Sequence, residues 1–185
     1  MSQDMNQKEK KEEKGEQKFC SAGTSINGKK VPAVFKKVSW KRGTRNLDWG
    51  GGKYDTATVY MNSLGCKNVI YDPFNRTEEE NEKALSDAPY DTVTVSNVLN
   101  VIKEEDVRIK TVREAMRNLK KGGKMYVTIY EGDGSGEGRE TKKDCWQNNE
   151  KLQFYVQELE SAGFRTEVKR GVITVYRKKD REEGK

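Results

Sequence analysis

At 185 residues, the chain is long enough for one domain with a sizeable core and too short for two full ones. Hydrophobic residues make up 32% of it and charged residues 36%, so part of the chain must lie outside the core. There is no run of about eighteen apolar residues, and the N-terminus lacks the apolar core of a secretory signal. We therefore expect a cytoplasmic protein without a membrane span.

The titratable side chains exclude several kinds of site. Histidine, the commonest general base and metal ligand, is absent from the sequence. The cysteines Cys20, Cys66 and Cys145 are far apart and form no Cys-x-x-Cys pair, which fits a reducing compartment and argues against a zinc cluster. We expect no metal site.

Composition divides the chain into one domain and two tails. Residues 1–18 are almost wholly polar or charged and are predicted to be a disordered tail, because such a segment cannot bury enough surface to order its backbone. Residues 19–178 are predicted to form a single domain, and residues 179–185 a loose charged tail.

The net charge of +6 is concentrated in a basic stripe between Lys29 and Arg45. Its seven cations, with no acid among them, are Lys29, Lys30, Lys36, Lys37, Lys41, Arg42 and Arg45. Such a stripe could follow a nucleic-acid backbone. A solvated face that keeps the protein soluble is the interpretation we favour, since no aromatic-basic recognition module accompanies the stripe.

Hydrophobic periodicity, capping residues and glycine turns predict the following elements in chain order. They are helix 31–40, strand 45–48, helix 54–64, strand 67–71, helix 77–85, strand 91–96, helix 104–121, strand 124–130, a glycine-rich irregular loop from 131, helix 149–162, and strands 165–169 and 172–177. This alternation, followed by a closing hairpin, predicts an α/β fold. We expect a mostly parallel, doubly wound sheet with helices on both faces and a C-terminal antiparallel hairpin.

The first strand leads into an acid and three consecutive glycines. Asp48-x-Gly50-x-Gly52 brings bare backbone to the carboxyl end of the strand, and a second acid, Asp72, ends the next strand. The dinucleotide pattern Gly-x-Gly-x-x-Gly/Ala fails at Asp55, and Lys53-Tyr54 lacks the Ser or Thr of a Walker loop. A structural turn is the remaining alternative. Ligand binding is favoured because Asp72 stands where a ribose acceptor should.

Residues from about Val31 to Arg177 resemble the Rossmann-like S-adenosylmethionine-dependent methyltransferases. The resemblance rests on these two acid motifs, on Ser96-Asn97-Val98-Leu99 after the third strand, and on Leu119-Lys120-Lys121-Gly122-Gly123 before the fourth. The segment 97–102, with Tyr71-Asp72-Pro73, is more narrowly similar to uncharacterised methyltransferases of phages and mobile elements.

The resemblance implies S-adenosylmethionine as the cofactor and a role for each matching residue. Ten of these residues would contact or organise the cofactor, and an eleventh is the bulky Trp49 between the acid and the glycines. Gly50, Gly51 and Gly52 would approach the methionine part, Asp48 would meet its ammonium group, and Asp72 would accept hydrogen bonds from both ribose hydroxyls. Pro73 or Phe74 would lie against adenine, and Asp87 would accept a hydrogen bond from the adenine amino group. Asn97 would line the floor near the methyl group, with Val98 packing the entry to the following helix.

The chain departs from the family pattern between Asp72 and Asp91. The nineteen positions that separate them leave room for a helix but little for the family's third strand, so the sheet is expected to be one edge strand short.

The acceptor is not indicated by any motif. The Asp/Asn-Pro-Pro-Tyr/Phe signature of amino-methylating DNA enzymes is absent at Ser96–Leu99, and no cysteine follows a proline as in cytosine-ring methylases. We therefore expect a methyltransferase of unidentified acceptor, small molecule or nucleic acid. The alternative is a non-catalytic nucleic-acid-binding or accessory protein on a degenerate methyltransferase fold.

Overall fold

A computed structural model describes residues 17–19 and 30–177. Most of the predicted tail 1–18, Cys20, Lys29 of the basic stripe, and the predicted tail 179–185 lie outside these residues. Within the described part, the longest helix has 13 residues, and no helix combines the length and apolar character needed to cross a membrane.

Eight strands and five helices make up the described part of the chain. The strands are β1 (Arg45–Trp49), β2 (Lys67–Tyr71), β3 (Tyr90–Ser96), β4 (Leu119–Thr128), β5 (Arg139–Lys142), β6 (Cys145–Gln147), β7 (Arg165–Lys169) and β8 (Val172–Tyr176). The helices are α1 (Ala33–Lys37), α2 (Thr56–Ser63), α3 (Glu78–Ser86), α4 (Glu105–Arg117) and α5 (Leu152–Ser161), with a short 3-10 turn at Leu99–Val101.

Six of the strands form one sheet in the order β2-β1-β3-β4-β8-β7. β1 to β4 are mutually parallel, whereas β8 runs antiparallel to both β4 and β7. This confirms the predicted α/β fold with its closing antiparallel hairpin. As expected from the short spacing after Asp72, β2 is an edge strand among the described residues.

Helices cover both faces of the sheet. Because side chains alternate along a strand, Val93 and Val95 pack with α3, α4 and α5 in the larger buried cluster. On the opposite face Tyr126 and Val172 pack with α1 and α2 in a smaller cluster.

The boundaries of α1 and α4 differ most from prediction. α1 is shorter than 31–40, because Pro32 only caps it and Val38 is already extended (φ −86°, ψ 138°). α4 ends at Arg117 instead of continuing to Lys121, because Leu119 pairs with Tyr90 at the start of the β3–β4 ladder. The ladder is then interrupted by an irregularity and resumes where Thr92 pairs with Lys124.

The region after β4 contains a hairpin that the sequence did not predict. β5 and β6 pair antiparallel within a segment expected to be irregular. Asn148, just after β6, donates its side-chain amide to the carbonyl oxygens of Leu99 (3.2 Å) and Ile102 (2.9 Å). The end of the hairpin is thereby fastened to the 3-10 turn that follows β3.

Candidate functional site

A cleft of about 170 Å³ lies at the carboxyl ends of β1, β2 and β3. Parallel strands that end at one edge bring their following loops together, and ligands of α/β proteins bind at this edge. Every predicted site residue except Asp87 lines the cleft, namely Asp48, Trp49, Gly50, Gly51, Gly52, Asp72, Pro73, Phe74, Asn97 and Val98.

Asp87 lies at the other end of the sheet, which corrects its assignment. It caps the C-terminus of α3, a helix that returns the chain to the amino end of β3. Its carboxylate is 3.9 Å from Nζ of Lys67, the first residue of β2, and its carbonyl accepts a bond from Arg45, the first residue of β1. A side chain at the amino ends of the strands cannot reach a ligand in the cleft.

Gly50 and Gly51, the first two of the three glycines after β1, are closely surrounded by other side chains. Gly50 has φ 75°, and its N–H donates to the Tyr71 carbonyl at 2.7 Å. A Cβ at Gly50 would stand 2.5 Å from Val98, and one at Gly51 would stand 2.5 Å from Oδ2 of Asp48. Side chains at these positions would therefore collide with the walls of the cleft.

Asp72 is buried and holds two loops by hydrogen bonds. Its Oδ1 accepts the backbone N–H groups of Phe74 and Asn75, both at 2.9 Å, and the Asn75 amide at 3.1 Å. Within the described part of the chain, its Oδ2 accepts only the Gly52 N–H, at 2.8 Å. Because a carboxylate oxygen offers about two acceptor sites, Oδ2 retains one for a ligand and Oδ1 is fully used.

Arg76 supports the glycine loop from the other side and was not predicted. Its Nε donates to the Gly52 carbonyl at 2.9 Å, and its Nη2 lies 2.7 Å from Asp55 at the start of α2. The side chain is only 12% exposed. Nothing in the local sequence distinguishes Arg76 from a surface arginine, because its role depends on contacts with residues more than twenty positions away.

Asp48 is a buried carboxylate at the end of β1. Burial is the main cause that raises its pKa from 3.8 to about 7, while the Thr94 hydroxyl bond (2.8 Å) lowers it. The negative charge of Asp72 raises the pKa further, and Arg76 lowers it. The side chain is therefore balanced between its neutral and ionised forms near neutral pH.

Asn97 follows β3 in a backbone conformation that is uncommon for a residue with a side chain. Its φ is 56°, and its N–H donates to the Thr128 carbonyl at 2.9 Å. The backbone strain at a residue that lines the cleft is typical of functional positions. Next to it, Val98 occupies the space beside Gly50.

The two aromatic residues predicted for the site have different surroundings. Trp49 is 8% exposed and stacks on Tyr71 with ring centroids 4.1 Å apart, so most of it belongs to the core. Phe74 is 44% exposed at the rim of the cleft, where a planar ligand could pack on it.

Several lining residues were missed by sequence reasoning. They are Gln17, Pro32, Asn75, Ser96, Val101, Ile102 and Thr111. Gln17 belongs to the segment predicted to be a disordered tail, and it lies at the cleft. The apolar pair Val101-Ile102 after a strand end was the available signal for a ligand wall. Among the described residues, no group of three or more acids and cysteines is arranged to hold a metal ion.

Comparison with known families and structures gives one family match. A family model described as a methyltransferase domain matches residues 22–167. No curated protein matches the chain in sequence.

Solved structures with a similar fold include several methyltransferases. A 1,6-didemethyltoxoflavin N1-methyltransferase of Burkholderia thailandensis, solved with 1,6-didemethyltoxoflavin and S-adenosylhomocysteine, has a TM-score of 0.56 at 16% identity over 72% of this chain and 70% of that one. An S-adenosylmethionine-dependent methyltransferase of Methanosarcina mazei has a TM-score of 0.53 at 13% identity, over 79% and 95% of the two chains.

A third similar structure is considerably longer than this chain. Mitomycin 7-O-methyltransferase has a TM-score of 0.52 at 15% identity over 77% of this chain, and the match spans only 50% of the mitomycin enzyme. At these identities the likenesses show a shared Rossmann-like fold.

Proposed function

The chain belongs to the methyltransferase-domain family, and we propose that it transfers a methyl group from S-adenosylmethionine to an acceptor not yet identified. The observation that carries this proposal is the convergence of two acids and a bare glycine loop on one cleft. Asp48, Gly50 to Gly52 and Asp72 lie at adjacent strand ends, with Asp72 keeping one free acceptor site. This arrangement suits a ligand that carries both a ribose and a cationic group.

Each lining residue has a proposed part in binding the donor. Asp72 accepts a hydrogen bond from a ribose hydroxyl through Oδ2, since Oδ1 already accepts the backbone N–H groups of Phe74 and Asn75. Phe74 packs on the adenine with Pro73 beside it. Asp48 meets the ammonium group of the donor. Because Gly50 to Gly52 have no side chains, the methionine part of the donor can lie against the backbone of this loop.

The part of the cleft formed by Asn97 and Val98 is proposed to receive the methyl group and the acceptor. When bound, S-adenosylmethionine supplies a methyl group on a positively charged sulfur, which an in-line nucleophile can attack. The residues of the chain need to align the two reactants and exclude water. We assign no general base and no catalytic residue.

Two narrower predictions remain part of this proposal. The first is that the chain is related, through the segment 97–102, to methyltransferases of phages and mobile elements. The second is that the protein acts in the cytoplasm.

A second candidate function is favoured by the exposed cations around α1. Lys36, Lys37, Lys41 and Arg42 are exposed and form no ion pair with the residues that the structure describes. Together with Lys30 and Arg45 of the stripe, they are proposed to provide a surface for a nucleic-acid partner, with or without methyl transfer. Binding to DNA or RNA that weakens steeply with salt would support this function.

Calorimetric titration with S-adenosylmethionine and S-adenosylhomocysteine tests the leading proposal. We expect saturable binding by the wild type, loss of binding in Asp72→Ala, and unchanged binding in Asp87→Ala. The second variant is a matched control because it removes an acid at the opposite end of the sheet. Absence of binding by the folded wild type would overturn the proposal and leave nucleic-acid binding as the function to test.

A further inference from the structure

A chain of hydrogen-bonded polar side chains runs under α2 and ends at Asp48. The Asn68 amide donates to the Thr58 hydroxyl of α2 at 3.1 Å, and Asn68 Oδ1 accepts from Asn46 at 2.7 Å. The Asn46 amide also donates to the Thr94 hydroxyl at 2.9 Å. Thr94 in turn contacts Asp48 Oδ1 at 2.8 Å, so three adjacent strands are linked through their side chains.

The direction of these bonds follows from the number of hydrogens each group carries. Both hydrogens of the Asn46 amide are used, one on Asn68 and one on Thr94, and its oxygen accepts from Thr92 at 2.7 Å. The Thr94 hydroxyl has a single proton. Because Thr94 accepts from Asn46, that proton is directed to Asp48 Oδ1 rather than to the more distant Leu47 carbonyl at 3.5 Å.

This leaves the other oxygen of Asp48 available to a ligand. Asp48 Oδ2 lies against Gly51 at the cleft and accepts no hydrogen bond within the described part of the chain. We propose that Thr94 is a positioning residue, which holds Asp48 through Oδ1 so that Oδ2 meets the cationic group of the methyl donor as a carboxylate. The inference rests on the proposed function and extends it to a residue outside the cleft lining.

The charges around Asp48 explain why one hydroxyl group can decide its protonation. Burial and the neighbouring Asp72 raise the pKa of Asp48, whereas Thr94 and Arg76 lower it, with a resulting pKa of about 7. Asp72 follows β2 and Arg76 lies in the loop after it, and these two are the charged groups among the described residues that act on Asp48. The Thr94 hydroxyl contacts Asp48 directly, and its removal takes away a hydrogen bond that lowers the pKa of Asp48.

The experiment compares wild type, Thr94→Val and Thr94→Ser in their affinity for S-adenosylhomocysteine between about pH 6 and about pH 9. If the pKa of Asp48 rises by about one unit in Thr94→Val, its ionised fraction at pH 7 falls from about a half to about a tenth. We expect about fivefold weaker binding at pH 7, with the difference narrowing as the pH rises. Thr94→Ser keeps the hydroxyl and should follow the wild type.

A merely structural role for Thr94 predicts a different outcome. Binding by Thr94→Val would then be weaker by one factor at every pH, or unchanged, and either result overturns the inference. If the wild type binds no S-adenosylhomocysteine at any pH, the proposed function fails and the positioning role fails with it.

A measurement without ligand separates these two failures. Carbon-13 NMR titration of the Asp48 carboxyl, assigned by its absence in Asp48→Asn, should show a higher midpoint in Thr94→Val than in wild type and Thr94→Ser. Equal midpoints in all three proteins would overturn the inference even if the donor binds.

Discussion

Gly52 donates its N–H to Oδ2 of Asp72 at 2.8 Å, and through this bond the loop after β1 is tied to the end of β2. The carbonyl of the same glycine accepts from Arg76 Nε at 2.9 Å. The segment from Asp72 to Arg76 thus holds Gly52 on both its hydrogen-bonding groups. A change in this segment should therefore alter the glycine loop even where it leaves the loop's own residues intact.

Replacement of Arg76 by lysine tests this support. Lysine has one ammonium group, which cannot bond the Gly52 carbonyl and the Asp55 carboxylate in the geometry of the guanidinium fork. Loss of a hydrogen bond to a charged group costs about 1.5 kcal/mol. Because the ligand must then restore the loop geometry as it binds, we expect up to roughly tenfold weaker binding of S-adenosylhomocysteine by calorimetry.

Arg165→Lys provides the matched control for Arg76→Lys. Arg165 lies on the edge strand β7, 65% exposed, where it contacts Glu167 and the Tyr176 ring. Its replacement should leave the affinity unchanged. If Arg76→Lys binds as tightly as Arg165→Lys, the Arg76 contact does not support the donor site.

Gly50→Ala and Gly122→Ala separate backbone strain from crowding of the cleft. The two glycines have nearly the same φ, 75° and 76°, so alanine should cost each about 1 kcal/mol of unfolding free energy. A Cβ at Gly50 would also stand 2.5 Å from Val98, whereas one at Gly122 meets nothing within 4 Å.

We expect chemical denaturation to show a further loss of about 1–3 kcal/mol in Gly50→Ala from this overpacking. Only Gly50→Ala should weaken binding of S-adenosylhomocysteine. Equal stability and equal affinity in the two variants would show that the Val98 contact has no influence on the site.

The features predicted correctly are those that neighbouring residues determine. Thr77 and Glu80 form the expected capping box at the start of α3, because both partners lie within one helical turn. The Asp48-x-Gly50-x-Gly52 turn likewise depends on a short pattern, and it lies at the strand end where it was expected.

The features that were missed depend on contacts between distant residues. α4 ends early because Leu119 pairs with Tyr90, twenty-nine positions before it. A pairing with so distant a residue leaves no sign in the helical periodicity of the local sequence. The same limit applies to Thr94, whose hydroxyl donates to Asp48 on the neighbouring strand β1, 46 positions away in the sequence. The family resemblance predicts Asp87 at the adenine, whereas α3 carries it to the amino ends of the strands, opposite the cleft.

Asp48 should make the stability of the protein depend on pH. Its pKa is about 7 in the folded protein against 3.8 as the ordinary value, so the folded state binds a proton more tightly than the unfolded chain. The stabilisation from this proton is complete below about pH 4 and is lost as the pH rises through about 7. Between about pH 4 and about pH 7 the free energy of unfolding should fall by an amount on the order of a few kcal/mol from this group.

Asp48→Asn isolates this contribution, because the amide has nearly the same shape and does not ionise. The difference in unfolding free energy between variant and wild type, from urea denaturation, should shift in favour of the variant between about pH 5 and about pH 8. A difference that stays constant over this range would mean that Asp48 does not titrate there.

The buried ion pair between Arg108 and Glu158 joins α4 to α5, and both side chains are no more than 5% exposed. Arg108 also donates to the carbonyl oxygens of Ile102 (2.8 Å) and Lys103 (2.7 Å), next to the cleft. Glu158→Leu leaves the guanidinium buried without its counter-ion, and we expect it to destabilise the protein by about 3–5 kcal/mol.

The double variant Arg108→Met/Glu158→Leu tests whether the charge or the packing is responsible for this cost. It removes both charges and should recover most of the lost stability, since burial of an ion pair carries a large desolvation cost that apolar side chains avoid. Recovery should be incomplete, because the carbonyl groups of Ile102 and Lys103 lose their donor. Urea denaturation of the wild type and both variants measures this, and a double variant less stable than Glu158→Leu would contradict the explanation.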